Sequence, residues 1–201
     1  MAAATSNRVI VAGGGIGGLA AALALVRQGF EVLVLEQAPE IGEIGAGIQL
    51  GPNAFHAFDA LGIGEKARRR AVYTESIVMH DAVDESLVGR VETVEAFRAR
   101  FANPYAVIHR VDVHRSLLEG AQETGRVQFL TRTRVESVKQ DNDGVTVGDQ
   151  TGKLYRGVAL IGADGVRSVV REIYVNDPPR ITGHVVYRSV VDKREFPSDL
   201  Q

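Results

Sequence analysis

The sequence predicts an α/β fold: a Rossmann-like βαβ unit at the N-terminus, a later β insertion, and then the start of a mixed-sheet second domain. Three observations predict it. A β-branched run, Arg8–Ala12, leads into Gly13-Gly14-Gly15-Ile16-Gly17-Gly18, and Leu19, Leu23 and Val26 follow at helical spacing. A second buried-strand pattern over residues 31–36 ends on Glu36, closing the unit within about thirty residues, the length such a unit needs. Beyond residue 72 the signal changes to short strands at 76–80, 87–91 and 105–110 rather than another βα repeat.

The remaining elements follow in order. Gly29 stands where a helix-terminating glycine belongs. Residues 38–51 form a loop rich in Gly and Ile, and Pro52 suits the first turn of a helix running to Leu61. Residues 65–70 predict a short exposed helix, with Arg68-Arg69-Arg70 as a solvated face. Asp112 is placed to cap a helix over residues 113–123, although Arg115 replaces the Glu of a capping box. A strand over 127–130 precedes a hairpin, 135–140 with 145–148, that turns at Asn142-Asp143-Gly144. One strand is expected over 154–161, then Gly162-Ala163-Asp164-Gly165 and a helix over 167–174. Asp177-Pro178-Pro179 marks a boundary. Residues 1–180 are therefore expected to form one domain, with its insertion at 72–108. Residues 181–201 begin another, opening on a strand over 184–191 with unpaired edges.

Composition narrows the function. Apolar residues make up 45% and charged residues 24%, which suits a globular chain with its own core. A net charge of −2 offers no basic field to nucleic acid. With no cysteine, thiolate catalysis, disulfides and cysteine metal sites are excluded. His56, His80, His109 and His114 lack metal-ligand spacing and read as ordinary surface or core residues. Neither a signal peptide nor a run of ~20 apolar residues is present, so a cytoplasmic location and no membrane contact are expected. Of 22 glycines, 12 lie between Gly13 and Gly64, so a backbone-lined site is expected there.

The glycine turn reads as a dinucleotide site because it lies between a strand and a helix and is answered by Glu36. Gly13 permits the sharp turn, Gly15 lets a pyrophosphate approach the backbone, and Gly18 lets helix and strand pack closely. The helix N-terminus offers free N–H groups and partial positive charge to phosphates. Glu36 suits a ribose diol and would repel a 2′-phosphate, so NADP is not expected here. The alternative is a glycine-rich turn beside a surface glutamate. The fingerprint alone does not separate NAD from FAD, but a NAD dehydrogenase would continue into further βα units.

Four segments together resemble the group A flavoprotein aromatic monooxygenases: residues 9–19, Ile44-Gly45-Ala46-Gly47-Ile48-Gln49, His109-Arg110-Val111-Asp112, and Gly162-Ala163-Asp164-Gly165-Val166-Arg167-Ser168. The resemblance implies FAD as cofactor. Gly13, Gly15 and Gly18 would surround its pyrophosphate, with a backbone contact from Ile16, and Glu36 would bind the adenosine ribose with Gln37 beside it. Ala46, Gly47, Ile48 and Gln49 would run near the flavin ring, Arg110 would reach the phosphates or ribityl chain, and Val135 would touch adenine through its backbone. Asp164 would serve both FAD and nicotinamide nucleotide. Relatives often carry a basic residue near Gly42, and none stands between Glu36 and Gln49 here. Arg110 could instead pair with Asp112, and Asp164 could cap the helix that follows it. His184, Tyr187 and Arg188 read as sheet residues rather than substrate contacts.

The resemblance further implies a monooxygenase that uses NADH or NADPH and O2 to hydroxylate an aromatic acid such as 3-hydroxybenzoate, giving gentisate, with a homodimer as the full-length form. The family's second flavin motif, a Gly-Asp near the ribityl chain, finds no counterpart here, so the resemblance implies an incomplete chain with no catalytic acid or base of its own. A related FAD-dependent reductase or dehydrogenase, or a non-catalytic FAD-binding fragment, remain the alternatives.

Overall fold

The computed structural model describes residues 7–42, 45–175, 177–185 and 192–195. The chain opens with β1 (Arg8–Ala12), α1 (Ile16–Arg27) and β2 (Glu31–Leu35), the βαβ unit expected from the glycine spacing. Next come β3 (Gly47–Leu50), α2 (Pro52–Leu61) and α3 (Gly64–Arg70). The insertion holds β4 (Val72–Tyr73), β5 (Ser76–His80), β6 (Leu87–Glu92), α4 (Glu95–Phe101) and β7 (Ala106–His109). The chain returns through α5 (Arg110–Glu123), β8 (Val127–Leu130), β9 (Val135–Asp141) and β10 (Gly144–Asp149). It then passes through β11 (Leu154–Gly157), β12 (Ala159–Gly162) and α6 (Val169–Glu172).

The core is a parallel sheet in the order β12-β1-β2-β8. One face packs on α1 through Val11, Ala22, Val26, Val32 and Val34. The other face meets an antiparallel sheet, β11-β10-β9, through Ile10, Leu33, Leu35, Val145 and Val147. With both faces covered, β1 and β2 read as nearly unbroken apolar runs instead of alternating ones. A second cluster, built on Leu19, Leu23, Phe55, Ile108 and Leu117, packs α1 and α5 against α2 and β7. Helix α1 ends as its glycine predicts. Gly29 takes φ +91°, its N–H donates to the Val26 carbonyl at 2.9 Å, and the Phe30 N–H donates to the Leu25 carbonyl at 3.1 Å. Those two bonds satisfy carbonyls that the helix leaves open.

Several expectations are corrected. The strand expected over 154–161 is two strands in different sheets. The break falls at Val158, whose N–H donates to the Arg8 carbonyl at 2.8 Å, so β11 stays with β10 while β12 pairs in parallel with β1. Helix α5 begins at Arg110, so Asp112 is not its cap. Its N-cap is His109, whose Nδ1 accepts the Val111 N–H, because β7 runs straight into the helix once His109 has paired with Gly47. Asp112 falls in the first turn, where its charge still suits the helix dipole. Helix α6 is a single turn, Val169–Glu172, shorter than the eight residues expected. Helix α4, between the second and third of the expected insertion strands, carries no periodic signal long enough to read from sequence.

The arginine run is not a solvated face either. The Arg68 guanidinium grips Asp59 through both nitrogens, at 2.5 and 2.7 Å, and also donates to Asn103. This holds the Asp59 carboxyl below its ordinary pKa. Arg70 donates to Ser116 and to both Glu119 oxygens, tying α3 to α5, so only Arg69 of the three is exposed. Most of the strand expected over 184–191 lies outside the described residues. His184 and Val185 are exposed and not part of a strand.

Candidate dinucleotide site

A cavity of about 630 Å³ opens at the carboxyl ends of β1 and β2. That is where ligands bind on open parallel sheets. Its floor is the glycine turn, with Gly13 and Gly15 exposed to it. Its walls come from Glu36 and Gln37, from Thr133, Arg134 and Val135 beside them (the Thr133 N–H donates to the Glu36 carbonyl at 2.8 Å), and from Asp164, Gly165 and Arg167.

The glycines of the turn differ in what they permit. Gly13 takes φ +103°, and a Cβ there would be driven into the Ala163 carbonyl. A Cβ on Gly18 would strike the Gly13 carbonyl oxygen, so α1 can lie this close to β1 only with glycine at that place. Gly15 is unlike either. Its backbone is ordinary, φ −73° and ψ −176°, and a Cβ built on it meets no protein atom within 4 Å. Neither backbone strain nor packing calls for glycine there. Gly15 itself lines the cavity.

Side chains brace this turn from two directions. The Glu36 carboxylate accepts the Gly14 N–H at 2.6 Å and the Ala38 N–H at 2.8 Å, which leaves lone pairs on both oxygens for a ligand hydroxyl. From the far side, His114 on α5 donates through Nε2 to the Gly14 carbonyl at 2.9 Å. His114 is 2% exposed. No spacing in the sequence ties it to a turn one hundred residues away. The N-cap of α6 is Ser168, not Asp164: its hydroxyl accepts the Arg171 N–H at 2.9 Å, while Asp164 accepts the Ser168 hydroxyl and, at 3.2 Å, the Val170 N–H, and also lines the cavity. Asp164 thus steadies the start of α6 from outside the helix and still has a place on the cavity wall.

The expected residues fall into two groups. Gly13, Gly15, Glu36, Gln37, Val135 and Asp164 line the cavity. Ile16 and Gly18, next to Gly15 at the start of α1, are not among the lining residues. Ala46, Gly47, Ile48, Gln49 and Arg110 do not line it. They gather where β3 pairs with β7: Gly47 lies opposite His109, and the Arg110 N–H donates to the Ala46 carbonyl at 3.0 Å. A Cβ on Gly45 would sit 3.0 Å from the Arg110 side chain, so residues 45–46 run against that arginine. Arg110 and His114 are one helical turn apart on the same face of α5, which sets this second group beside the glycine turn. Arg134, which is ion-paired with Glu136, and Arg167 also line the cavity, and no sequence pattern marked either as a site residue. Both sit on irregular backbone, where no periodic pattern marks a residue. Among the described residues no group of three His, Asp or Glu side chains could hold a metal.

A family model described as an FAD binding domain matches residues 6–180. The chain belongs to the FAD-binding domain family. The shape of its site fits that cofactor, since a floor with no side chain at Gly15 and a carboxylate ending β2 are what an adenosine diphosphate group requires. The chain is 76% identical over 193 residues to the 3-hydroxybenzoate 6-hydroxylase of Polaromonas naphthalenivorans (strain CJ2), a match covering 96% of this chain and 48% of that protein. It is 55% identical over 194 residues to the 3-hydroxybenzoate 6-hydroxylase of Klebsiella oxytoca, covering 96% and 49%. The solved tetrameric form of 2-methyl-3-hydroxypyridine-5-carboxylic acid oxygenase superposes with a TM-score of 0.69 at 28% identity, over 82% of this chain and 41% of that one. The resemblance to group A flavoprotein monooxygenases is thus borne out, and the chain spans about half the length of the curated relatives it matches. Among the described residues no helix is long and apolar enough to cross a membrane.

Proposed function

We propose that the chain is the FAD-binding part of an aromatic-acid monooxygenase that acts on 3-hydroxybenzoate, with NADH or NADPH and O2 as co-substrates and gentisate as product. The observation that carries the FAD site is the bare, unstrained Gly15 at the floor of the cavity. The two relatives named for 3-hydroxybenzoate hydroxylation carry the substrate. In this reading the N–H groups of Gly15 and Ile16 take the diphosphate, helped by the partial positive charge of the α1 terminus. Gly13 and Gly18 keep the turn tight, and Glu36 holds the ribose hydroxyls with Gln37 alongside. The Val135 backbone meets adenine, and Asp164 fixes the third wall. Arg110 reaches toward the phosphates or ribityl chain, and Ala46, Gly47, Ile48 and Gln49 flank the ring. FAD, when bound, supplies the electron transfer and the oxygen chemistry, which no side chain can perform. The protein's part is to orient it and exclude water. The full-length form is a homodimer in this proposal.

The test uses the whole protein that carries this chain. Purified, it should hold FAD and consume NAD(P)H and O2 in step when 3-hydroxybenzoate is added, with gentisate appearing in equal amount. Oxidation of NAD(P)H without a hydroxylated product would point instead to a reductase.

A further inference from the structure

We infer that His114 is a positioning residue for the diphosphate: it fixes the direction of the Gly14–Gly15 peptide, so that the Gly15 N–H is aimed at the ligand before the ligand arrives. The inference rests on the reading of the cavity as the FAD site. Both polar groups of Gly14 are held by side chains. Its N–H donates to Glu36 Oε2 at 2.6 Å, and its carbonyl accepts from His114 Nε2 at 2.9 Å. A trans peptide points its C=O and N–H in opposite directions. The carbonyl of Gly14 and the N–H of Gly15 belong to one such peptide. With the carbonyl drawn toward α5, the Gly15 N–H is turned away from α5, on the residue that lines the cavity. Among the described residues neither the Gly15 nor the Ile16 N–H has a protein acceptor.

Two features make His114 suited to this. It is 2% exposed, so water does not compete for the Gly14 carbonyl. It also stands on α5, which packs on α1 in the same apolar cluster, so the brace moves with the helix whose N-terminus it serves. Glycine has wide backbone freedom, and a run of three glycines would otherwise sample many peptide orientations. An aimed amide lowers the ordering cost of binding.

The test compares His114→Leu, which fills the space without a donor, with His114→Gln, whose amide can present an N–H near the place of Nε2. His114→Met serves as a second donor-free variant if the leucine form does not fold. Titrations of the full chain run well below each melting temperature, with FAD, ADP and adenosine as probes. The donor-free variant should bind FAD and ADP about tenfold more weakly, the size of one lost hydrogen bond. Adenosine affinity should change less than about twofold, since Glu36 and Val135 are untouched, and His114→Gln should recover FAD affinity to within about threefold. In amide NMR spectra the Gly15 resonance should move in the donor-free variant and stay near its place in the glutamine form. Equal losses for ADP and adenosine, or no rescue by glutamine, would overturn the inference by making His114 a general structural residue. Unchanged FAD affinity in the donor-free variant would overturn it while leaving the FAD site intact, whereas a wild-type chain that takes up no FAD would bring down both.

Discussion

The parallel sheet and the β5–β6 hairpin both carry β-branched and other large apolar residues, but these end in opposite environments. In the sheet, Ile10, Val11 and Val34 are fully buried, between α1 on one face and β9–β11 on the other. In the hairpin, Met79 is 63% and Val91 51% exposed, and among the described residues the two strands pair only with each other. A lone two-stranded hairpin is marginal in water. The sheet therefore carries the stability that holds the cavity open, and the hairpin depends on it while contributing little in return. A site on this molecule should respond sharply to changes behind the sheet and hardly at all to changes in the hairpin.

That contrast can be broken at several points. The largest effect is expected from Phe55→Ala. Phe55 is fully buried in the α1–α5 cluster, and its loss should cost about 3–5 kcal/mol in denaturant unfolding. A loss below ~1 kcal/mol would mean that this core does not support the sheet. Gly18→Ala comes next. Its methyl has no space against the Gly13 carbonyl, so α1 must shift, at about 1–3 kcal/mol, and FAD affinity should fall with stability.

Asp149 should show a smaller, pH-dependent effect. Its carboxylate accepts the Thr151 hydroxyl at 2.6 Å and the Thr151 N–H at 2.8 Å, along with the Tyr155 hydroxyl and the Lys153 N–H. These bonds favour the charged form and, led by the Thr151 hydroxyl, hold its pKa at about 2. An unfolded Asp titrates near ~3.9. The stabilisation is therefore full above that pH and lost as pH falls through about 2. Asp149→Asn should melt lower than wild type at neutral pH, and the gap should close between ~pH 4 and ~pH 2. A gap that stays constant over that range would contradict the assignment. The smallest effect belongs to the hairpin: Val83→Ser, at a turn position 95% exposed, should change stability by less than ~0.5 kcal/mol.

The same division explains what could be read from sequence. The βαβ unit was legible because its signals are local: a glycine turn, an apolar helix stripe, and a glycine that closes α1 through bonds within five residues. Six of the expected site residues do line one cavity for the same reason, since each sits at the end of a strand or in a turn marked by glycine. What was missed depends on distant partners. Arg68 and Arg70 look like a charged surface run until Asp59, Asn103 and Glu119 arrive from other elements. His114 looks like any helix histidine until α5 packs on α1 and brings it to Gly14. The division of residues 154–162 between two sheets is likewise invisible in a continuous apolar run, because the Arg8 carbonyl that sets the break lies at the other end of the chain.

The central claim is that Gly15 is bare for the sake of a bound diphosphate and for no need of the protein itself. Replacing it with alanine should change the unfolding free energy by no more than about 1 kcal/mol, the loss of a glycine N-cap, because the backbone is unstrained and the methyl meets nothing. FAD titrated into the two proteins at the same temperature should bind the alanine form at least about tenfold more weakly, a difference of roughly 1.4 kcal/mol. Equal FAD affinity in the two proteins, or a lost fold in the alanine form, would contradict the account.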